Sequence, residues 1–175
     1  MKKVRTILLT GVLTMGVFST VIYSSCSKKD KCDGIVCKNG GSCDDGACKC
    51  PLGYEGANCE TASANKFIGL FATKDNCPLV DSSRGSLNYS VTINAGPSAT
   101  QLYVLNMGNP GLPPSDYLTA TMTSKDELTI QPKTLSDNRT YSGTIKYVSA
   151  GKLTASFQVS ENGNTIEACS STMTK

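Results

Sequence analysis

The thiols of nine cysteines are the side chains of this 175-residue chain whose type and spacing point most directly to chemistry. Six of them follow the spacing C-x4-C-x5-C-x4-C-x-C-x8-C, and they are Cys32, Cys37, Cys43, Cys48, Cys50 and Cys59. A zinc site would show paired C-x2-C motifs or histidines, and a redox site would show C-x-x-C. The chain has neither motif and no histidine. The pattern therefore favours disulfides in an oxidising compartment, and we predict no metal site and no cofactor.

The rest of the chain offers little for catalysis. Histidine, the commonest general acid–base, is absent, and no phosphate loop or nucleophile elbow occurs. The acids after residue 60 fall almost entirely in predicted turns, and they are Asp75, Asp81, Asp116, Asp126, Glu127, Asp137, Glu161 and Glu167. Nothing in their spacing brings two carboxylates to one pocket, as a glycosidase requires. We predict that the protein has no catalytic residues and is not an enzyme.

The N-terminus has the order of a secretory signal. A positive start precedes an apolar stretch over residues 7–23, and two small residues then lead into Cys26. A cysteine in this place resembles the bacterial lipobox. The resemblance implies a signal peptide over residues 1–25 and acyl chains such as palmitate on Cys26. The alternatives are ordinary secretion and an uncleaved membrane helix, although the stretch only reaches the lower end of the roughly 17–25 residues that a spanning helix needs.

The positive net charge belongs to this N-terminal segment. Residues 1–25 hold three of the 17 Lys and Arg residues and none of the 14 Asp and Glu residues, so the remainder has 14 of each. A nucleic-acid-binding domain usually presents a basic face that follows the phosphates. We therefore expect no nucleic-acid partner.

Residues 32–59 resemble an EGF-like module of the tenascin type without calcium ligands. The resemblance rests on the six cysteines, on Asn39-Gly40-Gly41 before the third of them, and on Gly53-Tyr54-x-Gly56 before the last. It implies the disulfides Cys32–Cys43, Cys37–Cys48 and Cys50–Cys59. The segment is too poor in apolar residues to fold on a hydrophobic core, so each bridge should contribute about 2–4 kcal/mol.

The chain after residue 60 alternates apolar and polar residues. Residues 87–94 are apolar at every odd position and polar at every even one, which is the period of a half-buried strand. The same register recurs four times, and Asn162-Gly163 is a strong hairpin signal. We predict a tether over residues 26–31, a linker over residues 60–65, and a mainly β domain over residues 66–175. Its fold should be an antiparallel barrel of about eight strands, with a two-sheet sandwich as the alternative.

Two cysteines remain, and they lie at the two ends of this β domain. Cys77 follows the first predicted strand, and Cys169 lies inside the last. These two must pair or stay free, and in an oxidising compartment we predict the disulfide Cys77–Cys169. It would bring the first and last strands close together, as a closed barrel demands. Near the start of the domain, Phe67-x-Gly69-x-Phe71 resembles the opening Gly-x-aromatic motif of lipocalin-like barrels.

Two predicted loops, over residues 75–86 and 108–116, are longer than hairpins need. The second contains three prolines, which fix φ and remove N–H donors, so it should be preformed for binding. Tyrosine, a frequent contact residue, flanks it on both sides. The candidate binding residues are Tyr103, Pro110, Pro113, Pro114 and Tyr117. The alternative is that both loops only close the ends of the barrel.

These features predict a lipid-anchored protein of the cell envelope, either on the outward face of the outer membrane or in the periplasm. A five-residue tether reaches no more than about 17–18 Å, so the module should lie near the membrane. We expect a non-catalytic binding or adhesion role in which the module is a spacer and the β domain recognises an extracellular protein or glycan. The alternatives are a carrier of a small apolar ligand and an inhibitor of extracellular proteases.

Overall fold

The computed structural model describes residues 31–77 and 87–175. The expected signal peptide, Cys26 and nearly all of the tether lie outside the described residues. Residues Cys32–Lys175 form one compact unit. Within the described part of the chain, no helix is long and apolar enough to cross a membrane.

The described residues form short hairpins followed by a barrel. The strands, in chain order, are β1 (Ser42–Asp44), β2 (Ala47–Lys49), β3 (Tyr54–Glu55), β4 (Thr61–Ala62), β5 (Gly69–Asn76), β6 (Asn88–Ala95), β7 (Gln101–Leu105), β8 (Tyr117–Ser124), β9 (Glu127–Thr134), β10 (Thr140–Ser149), β11 (Lys152–Glu161) and β12 (Asn164–Thr174). A 3₁₀ helix, Ser63–Lys66, connects β4 to the barrel.

Strands β1 to β4 belong to the small disulfide-rich module. They form two two-stranded antiparallel sheets, β1–β2 and β3–β4. Three disulfides staple the module, and they join Cys32 to Cys43, Cys37 to Cys48, and Cys50 to Cys59. This is the pairing order that the EGF-like resemblance implies.

Strands β5 to β12 form a closed antiparallel barrel. Each strand pairs with the next in the chain, and β12 pairs with β5 to close the circle. The prediction of an eight-stranded up-and-down barrel is confirmed, and the sandwich alternative is wrong. Closure removes the exposed edges that an open sheet of these strands would present. A fourth disulfide joins Cys77, just after β5, to Cys169 on β12.

The barrel core consists of the apolar residues of the alternating pattern. Its largest fully buried side chains include Phe71, Ile93, Leu102, Leu128, Tyr141, Ile145, Leu153 and Met173. The opposite positions on the same strands carry mostly Ser, Thr, Asn and Lys and face outward. The Asn162-Gly163 turn joins β11 to β12, and both of its residues have positive φ, as a type I′ hairpin requires.

Two local features differ from the expectations. The segment over residues 60–65, expected as a polar linker, contains β4 and most of the 3₁₀ helix, and Ser63 and Ala64 are buried within it. Asp75, expected in a loop, lies inside β5 and is almost fully buried. The Asp75 carboxylate is bonded to Tyr89 and Ser171, and the Ser63 N–H to the Gly53 carbonyl, so burial here depends on residues outside each segment.

Lys66 forms ion pairs with both the module and the barrel. Its Nζ is 2.9 Å from Glu55 Oε2 in the module and 2.7 Å from Asp126 Oδ1 in the β8–β9 turn. The backbone N–H of Ser63 also donates to the Gly53 carbonyl at 2.9 Å. Burial opposes the charge on Lys66, but the hydrogen bonds to Asp126 and Glu55 outweigh it and raise the lysine pKa. These contacts place the module at the end of the barrel that carries the β8–β9 turn.

Candidate binding surface at the distal end of the barrel

We define the distal end of the barrel by three connections: residues 106–116 between β7 and β8, residues 135–139 between β9 and β10, and the Asn162-Gly163 turn. Successive antiparallel strands place these connections at one end and the β8–β9 turn at the other. Because the β8–β9 turn contacts Lys66, the distal end faces away from the disulfide-rich module. We call residues 106–116 the distal loop.

The distal loop is packed onto the barrel interior at its beginning. Met107 and Gly108 are buried, and Asn106 and Gly108 have positive φ values of 66° and 76°. A Cβ atom on Gly108 would lie 2.8 Å from Cε2 of Phe157 and 3.1 Å from Cε1 of Tyr141. Glycine is therefore required here both by the backbone conformation and by the rings beneath it.

The first of two tyrosine–aspartate pairs holds this loop from the β5–β6 side. Tyr89 donates its hydroxyl to Asp75 Oδ2 at 2.6 Å and accepts the Gly108 N–H at 2.9 Å. Ser171 donates to the other carboxylate oxygen of Asp75. Burial raises the Asp75 pKa, and the hydrogen bonds from Ser171 and Tyr89 only partly counter this. Burial and the bond to Asp75 raise the Tyr89 pKa, so the phenol remains a donor.

The second pair holds the loop from the β9–β10 side. Tyr141 donates its hydroxyl to Asp137 Oδ2 at 2.7 Å, and Asn109 Nδ2 donates to the same oxygen at 3.1 Å. The Arg139 N–H donates to Asp137 Oδ1 at 3.1 Å. Burial opposes the charge of Asp137, but these donors outweigh it and lower the carboxyl pKa.

The second half of the distal loop is fixed by turns and one further carboxylate. The Asp116 N–H donates to the Pro113 carbonyl at 2.9 Å, and Asp116 Oδ2 accepts the Ser136 N–H at 2.8 Å. Hydrogen bonding from Ser136 lowers the Asp116 pKa. The loop is therefore bonded to the barrel or to the neighbouring connection near both of its ends, through Gly108, Asn109 and Asp116.

Two aromatic rings and a lysine lie on the outer wall beside this loop. The Tyr103 and Tyr117 ring centroids are 4.6 Å apart with an interplanar angle of 58°. Lys133 Nζ lies 4.1 Å from the Tyr117 centroid and donates to the Tyr117 carbonyl at 2.6 Å. Tyr117 is 36% exposed. The stack presents ring edges, hydroxyls and a cation in a fixed geometry.

The structure brings together only part of the predicted binding set. Tyr103 and Tyr117 are in contact on the outer wall, while Pro110, Pro113 and Pro114 lie exposed along the distal loop. Sequence reasoning missed Lys133, which reaches Tyr117 from β9. It also missed the two tyrosine–aspartate pairs, each of which has one buried and one partly buried member. The only sequence signal for Asp137 was its place in a turn, and no local pattern connects it to Asn109.

One cluster of possible metal ligands occurs among the described residues, but two of its three members form a disulfide. The ligand atoms of Cys77, Glu167 and Cys169 lie within 4.8 Å of one another. The two sulfur atoms are bonded to each other, so their lone pairs belong to a disulfide rather than to thiolate ligands.

No protein-family model matches the chain. It is 43% identical over 49 residues to Cadherin EGF LAG seven-pass G-type receptor 2 of Rattus norvegicus, a match that covers 25% of this chain and 2% of the receptor. This partial match supports the EGF-like similarity.

Among solved structures, the chain is similar to a redesigned β-barrel, b11L5F_LGL, with a TM-score of 0.45, 11% identity, and coverage of 65% of this chain and 94% of that one. It is also similar to EF1p2_mFAP2b bound to DFHBI, with a TM-score of 0.43, 14% identity, and coverage of 65% and 96%.

Proposed function

We propose that the protein is a non-catalytic recognition protein whose barrel binds an extracellular partner through its distal end. The observation that carries the proposal is the distal loop, which is exposed at its prolines yet anchored through Gly108, Asn109 and Asp116. A loop that is ordered before binding loses less conformational entropy in the complex. The adjoining Tyr103–Tyr117 stack supplies side chains of the type that dominates binding hot spots.

A protein is the partner class that this surface fits best. Lys133 lies over the ring of the partly exposed Tyr117 and Tyr103 packs against it, so little open ring face remains, and the prolines of the distal loop are exposed. Protein interfaces use such tyrosine edges and hydroxyls together with apolar contacts. A sugar ring that stacks on an aromatic face would have to displace Lys133.

Attachment to a cell envelope completes the proposal. In it, Cys26 carries the lipid, the short tether follows, and the EGF-like module is a stiff spacer. The Lys66 ion pairs support the spacer role, because they fix the module to the end of the barrel opposite the distal loop. A membrane-attached module would therefore present the distal loop outward. Detergent-phase partitioning and palmitate labelling of the full chain, lost in Cys26→Ala, would test the anchor.

The packing of the barrel favours this surface over an interior carrier site. Gly143 lies opposite the buried residues Ile130 and Phe157, and a Cβ on it would lie 2.7 Å from Phe157 Cβ. Ala120 and Ala155, the other small inward residues, are 0% and 4% exposed within the same packed core. At the distal end, the rings of Phe157 and Tyr141 lie directly under Gly108. Among the described residues, side chains occupy the interior that an apolar ligand would need.

The test is a binding screen of the full chain against immobilised matrix proteins, a glycan array and a panel of proteases. We expect a protein partner whose affinity falls at least about tenfold in Tyr117→Ala, the cost of losing a hot-spot tyrosine. Lys152→Ala, exposed on β11 at the module-side end, is the matched control and should bind normally. A partner that binds Tyr117→Ala and Pro113→Gly as tightly as the original chain would refute the distal surface. Inhibition of a protease would support the inhibitor alternative instead.

A further inference from the structure

A groove of about 620 Å³ crosses the outer wall of the barrel over strands β9 to β12. It shares no lining residue with the distal loop or with the Tyr103–Tyr117 stack. Its volume lies within the roughly 300–1,000 Å³ typical of small-molecule sites. The hydrogen-bonding side chains that line it are Thr129, Ser142, Thr144, Ser156, Gln158 and Ser170.

At the centre of the groove, Gly143 lets the β10 backbone approach the β11 backbone closely. Gly143 on β10 lies opposite Ile130 on β9 and Phe157 on β11, and the β9–β10 register shifts between Tyr141 and Gly143. A Cβ atom at Gly143 would collide with the Ser156 carbonyl and lie 2.7 Å from Phe157 Cβ. On β12, Ala168 contributes only a methyl group to the wall. The result is a mostly apolar floor with polar groups around it.

The polar groups of the groove are all uncharged. Its lining consists of hydroxyl, amide and apolar side chains and the disulfide-bonded Cys169, with no ionisable side chain among them. Ser156, Gln158 and Ser170 are exposed, while Thr129 and Thr144 are half-buried. Hydroxyls and amides both donate and accept hydrogen bonds, so they match a ligand with many hydroxyls of its own. An ionic ligand would find no counter-charge here.

The groove continues around the barrel. Ser156 and Ser170 also line a second depression of about 440 Å³. That depression shares Lys74 and Thr172 with a third, which reaches Asn88 on β6. This path from β9 through β12 and β5 to β6 crosses five of the eight gaps between neighbouring strands, so it follows the curved wall of the barrel. Several adjacent depressions suit a ligand of several linked units better than a single small molecule.

From these observations we propose that the outer wall binds a neutral polysaccharide, with the Gly143 groove as the central subsite. The sugar C–H faces lie on the apolar floor, and the ring hydroxyls exchange hydrogen bonds with the surrounding Ser, Thr and Gln side chains. Lys74 is the exposed charge on the path and lies in its far part, away from the central groove. This site is independent of the distal surface, so either may fail without the other.

The test is affinity electrophoresis of the full chain in gels that contain soluble neutral polysaccharides (mannan, xylan, dextran) or acidic ones (polygalacturonate, heparin). We expect retardation by at least one neutral polymer and by none of the acidic ones. Ser156→Lys places a long charged side chain in the central groove at an exposed position, and it should weaken retention at least tenfold. Thr144→Val keeps the side-chain shape but removes the hydroxyl, and it should weaken retention about threefold.

Two controls separate this site from the rest of the molecule. Thr123→Lys places the same charged side chain at an exposed outer position on β8, which is off the path, and Tyr117→Ala removes the distal tyrosine. Both should be retained like the original chain. The proposal is overturned if no neutral polymer retards the chain, if only acidic polymers do, or if Ser156→Lys and Thr123→Lys are retained equally.

Discussion

Removing the Tyr141 hydroxyl tests whether the Asp137 pair holds the distal loop. Tyr141→Phe keeps the ring, which is 1% exposed, and so leaves no cavity. It deletes the 2.7 Å bond to Asp137 Oδ2 but leaves the donors Arg139 N–H and Asn109 Nδ2 in place. A hydrogen bond to a charged group contributes about 1.5–3 kcal/mol. Since two donors remain and Asp137 is half-buried, we expect a loss near the lower limit, about 1.5 kcal/mol at pH 7.

The stability cost of Tyr141→Phe should also depend on pH. The pKa of Asp137 is lowered in the folded state, so its contribution to stability is present above the unfolded pKa and is lost as the pH falls through the folded value. Urea unfolding followed by circular dichroism should therefore show a smaller cost of Tyr141→Phe at about pH 2.5 than at pH 7. Tyr117→Phe, on an exposed ring, is the control. An equal cost at both pH values, or a loss below about 0.5 kcal/mol at pH 7, would refute the reasoning.

Three other changes follow from the contacts described above. Burial raises the folded-state pKa of Asp75, so the contribution of this residue to stability is greatest below the unfolded pKa and declines as the pH rises. The stability of Asp75→Asn relative to the original chain should therefore increase between pH 4 and pH 7. A difference in urea midpoints that does not change with pH would contradict this. Lys66→Met removes two partly exposed ion pairs and should lower the free energy of unfolding by about 1 kcal/mol or less. Amide exchange over residues 53–66 should become faster, and unchanged exchange there would show that Lys66 does not hold the module. The double change Cys77→Ser and Cys169→Ser opens a loop of 92 residues and should lower the free energy of unfolding by about 4–5 kcal/mol, whereas a loss below about 1 kcal/mol would argue against the loop-entropy account.

The fold was predictable because its signals are local. Alternation in residues 87–94 places Val91 and Ile93 in the core, since successive side chains of any strand point to opposite faces. Asn162-Gly163 likewise specifies its own turn. Strands joined in this way form a barrel once the last strand, β12, pairs with the first, β5.

The candidate site was only partly predictable because its partners come from distant strands. Tyr103, Tyr117 and Lys133 lie on three successive strands, and their contact depends on the cross-strand register. The local sequence predicted a solvated loop position for Asp75, because its partners Tyr89 and Ser171 lie 14 and 96 residues away. A buried carboxylate with distant donors has the same local sequence as a solvated one.

The cysteine spacing and the two-residue period by themselves determined a disulfide-rich module and an antiparallel β domain. The tertiary structure alone decided that Lys66 fixes the module to one end of the barrel, that Tyr89 and Tyr141 hold the loop at the other, and that residues of β9 to β12 form a groove on the wall. The physical reason is that periodicity sets which face a side chain occupies, whereas register and closure set which side chains meet across strands.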